Sequence, residues 1–129
     1  GAGVWKSPVE VDAALFADIN RAKDPGEASP LERKHAPVIR VPERIEVGKA
    51  FAVEVQVGEV LHPMSQGHYI HHLELLAGNE PAGWVAFFPT LNEPRATFHL
   101  LLDRPATLVA REYCNLHGLW ESRRTVEFG

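Results

Sequence analysis

The sequence predicts an all-β protein: an immunoglobulin-like antiparallel β-sandwich of about seven short strands, with an N-terminal helix and loop extension in front of it. Three observations predict this. From Pro37 onward apolar residues recur at every second position, the period of a half-buried strand. Turn signals built on Gly, Pro and Asn cut that region into short pieces. The chain has 129 residues, 45% of them hydrophobic, which suits one compact domain without disulfide staples.

Residues 7–22 read as the one good helix. Ser7-Pro8-Val9-Glu10 has the form of a capping box, with Pro at the first helical position and Glu three residues after the Ser. Val11, Ala14, Leu15, Asp18 and Ile19 follow at three-to-four spacing and give a largely apolar side. Residues 23–30 are dense in breakers and read as a loop. The strand over 51–57 is the clearest, with Phe51, Val53, Val55 and Val57 alternating with Ala52, Glu54 and Gln56. The other expected strands are 38–41, 69–76, 83–88, 96–102, 107–113 and 123–128, separated at Gly48, Gly58, 78–81, 92–94 and 104–105. A single domain over 1–129 results, with 1–31 as the extension and 32–129 as the sandwich.

Composition excludes several functions. One cysteine rules out an internal disulfide and any four-thiolate metal site made by this chain alone. Thirteen basic against seventeen acidic residues give a net charge of −4, the wrong sign for non-specific nucleic-acid binding. No apolar run reaches the ~18–20 residues that span a bilayer. The chain starts at Gly1 without Met, which fits either a trimmed chain or a mature protein after signal removal.

Seven histidines stand out beside the lone cysteine. Six of them fall in four clusters: Lys34-His35-Ala36-Pro37, His62 through His68, Tyr69-Ile70-His71-His72, and Cys114 through His117-Gly118-Leu119-Trp120. Each signal alone is weak, because a free cysteine is most often plain core. Taken together, a thiolate with several neutral imidazoles is a donor set that suits iron, copper or zinc rather than calcium or magnesium. A bound metal would also remove the thiol proton at neutral pH.

In order and spacing these segments resemble superoxide reductase of the neelaredoxin type, the iron-binding domain of the desulfoferrodoxin family. The resemblance runs from about Glu32 to Glu121. It implies one iron ion per chain, with His35, His62, His68 and His117 as four ligands in a plane and Cys114 as the axial fifth. The implied activity is reduction of superoxide by one electron to hydrogen peroxide, without making oxygen. An axial thiolate pushes electron density onto a metal, as it does in thiolate-ligated haem. Lys34, beside His35, is implied to guide the anion and help deliver protons, since the net charge of the chain opposes superoxide. The family commonly has a Glu two residues before the first ligand; here that position is Arg33, and Glu32 stands three before His35. Either Glu32 still reaches the iron as a sixth ligand, or that position is left to water.

His71, His72 and His99 are not needed by this ligand set and read as surface or interface residues, with His71 pointing away from the face shared by His68 and His72. Trp120, Tyr113 and Phe51 read as core, and Pro63 and Gly118 as shapers of the ligand loops. The amides of Leu116 and His117 are candidates to donate to the Cys114 sulfur. The alternative is a cupredoxin-like copper electron carrier, which predicts an axial Met after the last His; the only Met, Met64, lies upstream. A metal-free binding module would make the histidine pattern accidental. The resemblance further implies a rubredoxin-like electron donor, a homodimer or homotetramer, and a cytoplasmic setting, or a periplasmic one if the missing Met reflects signal cleavage.

Overall fold

The structure, a computed structural model, describes residues 19–129. The helix expected over 7–22 lies almost wholly outside the described residues. Its last positions, 19–22, are not helical, and Asn20 instead forms a parallel bridge to Trp120. A helix does occur where the sequence suggested a loop running into a strand: α1, Pro30–His35. Ser29 starts it with a capping box, accepting from the Glu32 N–H while the Glu32 carboxylate accepts from the Ser29 N–H. The helix stops at Ala36 because the residue before Pro37 is pushed into extended backbone.

Seven antiparallel strands follow: β1 Pro37–Arg40, β2 Phe51–Val57, β3 Ile70–Ala77, β4 Glu80–Ala86, β5 Arg95–Leu100, β6 Ala106–Cys114 and β7 Gly118–Val126. They form two sheets, ordered β1-β2-β5 and β4-β3-β6-β7. Between them lies the core, with Val53, Val55 and Val57 of β2 facing Ile70, Leu73 and Leu75 of β3 and Leu108 and Ala110 of β6. The alternation on β2 is the one the sequence announced.

Two strands begin three or more residues earlier than expected. β4 takes in Pro81, which is tolerable because β4 is an edge strand and needs no N–H donor on its outer side. β7 starts at Gly118 rather than near 123 because it forms a tight hairpin with β6, Cys114 pairing with Gly118. Successive residues Trp120 and Glu121 are both buried, which breaks the period of two. Glu121 is covered because Arg21, Arg111 and Arg123 converge on its carboxylate at 3.1, 2.9 and 2.9 Å. Among the described residues no helix is long and apolar enough to cross a membrane.

Candidate metal centre

Three connections bring the donor side chains together. His35 ends α1, His62 and His68 lie between β2 and β3, and Cys114 and His117 frame the β6–β7 turn. Gly58 presses the first two connections against each other. Its N–H donates to Ala36 (3.2 Å), and the Val60 N–H donates to Arg33 (3.3 Å). Its φ is +86°, and a Cβ there would strike the Val60 carbonyl oxygen and lie 2.6 Å from that of Lys34. Only glycine fits. Asn115 then joins the second connection to the third. Its Oδ1 accepts from the Tyr69 N–H (2.9 Å) and its Nδ2 donates to Gly67 (3.0 Å).

The hydrogen bonds fix what each ring can offer. The Nδ1–H of His35 donates to the Leu31 carbonyl and that of His62 to the Pro63 carbonyl, both at 2.7 Å. A carbonyl only accepts, so in the neutral rings both Nε2 atoms carry lone pairs. These two atoms are 3.2 Å apart. Two lone pairs at that distance repel unless a cation lies between them, and roughly 3 Å is the separation of two imidazole nitrogens at right angles on one ion with bonds of about 2.1 Å. The Cys114 sulfur is 3.6 Å from His62 Nε2 and 3.7 Å from His117 Nδ1. His68 Nε2 is buried and has no hydrogen-bond partner. Candidate donor atoms of His35, His68, Cys114 and His117 all lie within 4.8 Å of one another. This is a donor set short of protons, and a single transition-metal ion satisfies it.

Electrostatics agree. Burial, as the largest cause, holds His35, His62 and His68 below the ordinary imidazole range, His62 down to about 4, so all three are neutral at pH 7. Burial pushes the Cys114 thiol up, while the Leu116 and His117 amides donate to its sulfur and pull the other way. A metal would therefore be needed to draw off that proton. Glu112, two residues earlier on β6, is fully buried with neither oxygen paired, and burial raises its pKa to about 9. It stays protonated at neutral pH and adds no negative charge beside the sulfur.

Residues 27–123 match the family model described as Desulfoferrodoxin. The chain belongs to the desulfoferrodoxin family. It is 42% identical over 91 residues to a desulfoferrodoxin of Desulfarculus baarsii, covering 70% of this chain and 63%, just under two thirds, of that relative's length. It is 39% identical over 104 residues to a superoxide reductase of Pyrococcus abyssi, covering 73% of this chain and 88% of the relative. Its fold resembles the solved superoxide reductase (neelaredoxin) of Ignicoccus hospitalis, with TM-score 0.72 and 35% identity over 96% of this chain and all of that one.

Within this family fold the five residues expected to bind metal lie together. Lys34 is exposed on α1, and its charge acts on both His35 and His68. Glu32 is otherwise engaged: its two oxygens accept from the Ser29 and Lys23 amides, both at 2.9 Å, and reaching a metal would break that cap. Trp120 is buried and stacks on His35 with centroids 5.2 Å apart. Tyr113 is 39% exposed rather than core, because its neighbours Glu112 and Cys114 both face inward. His71 does not point away from His72. A β-bulge between Ile70 and His72 turns both rings to one side, with Nδ1 atoms 2.9 Å apart, beside Tyr113 and Trp84. His99 is exposed on β5. Met64 does not suit a copper ligand, since its sulfur accepts the Ile70 N–H at 3.3 Å. The sequence reading missed Asn115, whose one legible signal was an Asn directly after the cysteine in a turn-forming stretch.

Proposed function

We propose that the protein is a superoxide reductase holding one iron ion with His35, His62, His68, His117 and Cys114. The observation that carries this reading is the convergence of four imidazoles and one thiol from three separate connections, with two facing Nε2 lone pairs 3.2 Å apart. Ferrous iron bound there supplies the one electron that, with two protons, turns superoxide into hydrogen peroxide. The chain contributes the surroundings. Leu31 and Pro63 carbonyls orient two rings and raise their basicity. The Leu116 and His117 amides bond the Cys114 sulfur and temper its electron donation. Lys34 presents a cation beside His35, a local attraction for an anionic substrate that the net charge of −4 would otherwise repel. Arg33, also exposed on α1, adds to that local charge.

A rubredoxin-like one-electron donor, a homo-oligomeric state and a cytoplasmic setting complete the reading; they rest on the family likeness. The test is metal analysis with the visible spectrum before and after reduction, followed by mixing with superoxide. One iron per chain, a blue oxidised form that Cys114→Ser abolishes, and peroxide without oxygen are expected. Colour that survives Cys114→Ser would remove the thiolate assignment, and oxygen evolution would remove the reductase.

A further inference from the structure

The family model starts at residue 27, yet residues before it grip the turn that carries two of the five donors. Asn20 lies alongside β7. Its N–H donates to the Leu119 carbonyl and its carbonyl accepts from the Glu121 N–H, both at 2.9 Å. Its side-chain amide donates to Leu119 at 2.9 Å and, more loosely, to the His117 carbonyl at 3.4 Å. Trp120 Nε1–H reaches the same His117 carbonyl at 3.2 Å. The turn is held in an unusual shape, with Gly118 at φ +78°. Arg21 fastens the next residue by donating from Nε and Nη2 to Glu121 at 3.2 and 3.1 Å.

The direction of the His117 imidazole is set by its own backbone, only three residues from Cys114. The Leu119 and His117 carbonyls each take a further hold from the Asn20 side chain, and a primary amide has two N–H groups to give where a carboxylate has none. The main-chain bridge at residue 20 could form with any side chain; the second hold on Leu119 and the hold on His117 could not. We propose that Asn20 and Arg21 clamp the Cys114–His117 loop, with Asn20 as the positioning residue for His117. This rests on reading Cys114 and His117 as metal ligands, as above.

Asn20→Asp keeps the shape and the main-chain bridge but sets an acceptor against two acceptors. Loaded anaerobically with ferrous iron, this variant should release the metal to a chelator about tenfold faster than wild type, the low end of the loss when a ligand's supporting partner is removed. Its sulfur-to-iron absorption band should shift on oxidation, which a general loss of stability would not cause. Asn20→Ala should behave alike and serves if the Asp variant does not fold. Release at the wild-type rate with an unmoved band overturns the proposal, even if the melting temperature falls.

A second measurement needs no variant. Coupling in binding free energy is reciprocal, so if the clamp tightens metal binding, metal must tighten the clamp. Exchange of the Glu121 amide hydrogen, bonded to Asn20, should slow on iron loading by the same reciprocity; equal rates overturn the proposal. A wild type that meets these expectations but leaves superoxide untouched sinks the reductase and keeps the clamp. One that reduces superoxide while the release rate, band and exchange stay unmoved does the reverse.

Discussion

Among the described residues imidazole nitrogens nearly touch in two places, and the two are chemically opposite. On the outer face His71 and His72 approach to 2.9 Å, and His72 stacks between Trp84 and Tyr113. In the buried cluster His35 and His62 approach to 3.2 Å. Each buried ring has already given its Nδ1 proton to a main-chain carbonyl, so none is left to share. Neither outer ring donates to a carbonyl, so one can give its N–H to the other. The outer pair is complete as a packing unit; the inner group is complete only around a cation. Counting protons separates a metal centre from a surface cluster where counting histidines does not.

The sharpest way to break this comparison is to remove one ring from each side. His62→Ala should abolish stoichiometric iron binding, measured after desalting, while His72→Ala should keep one iron per chain. Equal losses would end the distinction.

Backbone comes next. Gly58→Ala combines a left-handed backbone with a clash against carbonyl oxygens and should cost roughly 3 kcal/mol. Gly78→Ala, at φ +61° with nothing within 4 Å, should cost about 1 kcal/mol. Urea midpoints compare the two, and a milder effect at Gly58 would discredit its role in joining α1 to the His62 connection.

Burial makes a third test, through pH in the metal-free protein. His62 titrates near 4 when folded against 6.5 as a free imidazole. The unfolded chain takes that proton first, so the contribution is whole above 6.5 and lost as pH falls toward 4, on the order of 3 kcal/mol. Glu112 acts in the opposite sense. Its folded pKa of about 9 lies above the usual 4.5, so it favours the folded state at low pH and loses that contribution as pH rises between those values. Glu112→Gln should therefore gain stability over wild type progressively from pH 5 to 8 and lose more on acidification. A stability difference independent of pH would contradict the buried, protonated carboxyl.

Two smaller effects complete the contrast. Lys34→Ala should slow the reaction with superoxide by up to about tenfold and flatten its salt dependence, with iron content unchanged; an unaltered salt slope in stopped-flow mixing would refute the steering role. Trp84→Ala should cost the outer stack about 1 kcal/mol and leave the visible spectrum alone. A shifted spectrum would mean the outer face couples to the metal.

The sequence by itself determined the period of the strands and, through a family resemblance, put the five candidate donors in view. Alternation on β2 and the spacing of candidate donors within each connection are local, and both can be read along the chain. Even so, one local sign was passed over: Ser29-Pro30-Leu31-Glu32 is as good a capping box as Ser7-Pro8-Val9-Glu10, and it starts the one α-helix among the described residues. That helix also explains why Glu32 is spent on a cap. Tertiary structure alone decided the rest. A bulge in β3 turned His71 toward His72, and Arg21, far along the chain, joined Arg111 across the hairpin and nearby Arg123 to make a buried site for Glu121. Asn20 and Asn115 gained their roles only when the turn beyond β6 was laid against other segments. Such roles depend on which groups lose water together, and that is fixed by how the sheets and connections pack, not by neighbours along the chain.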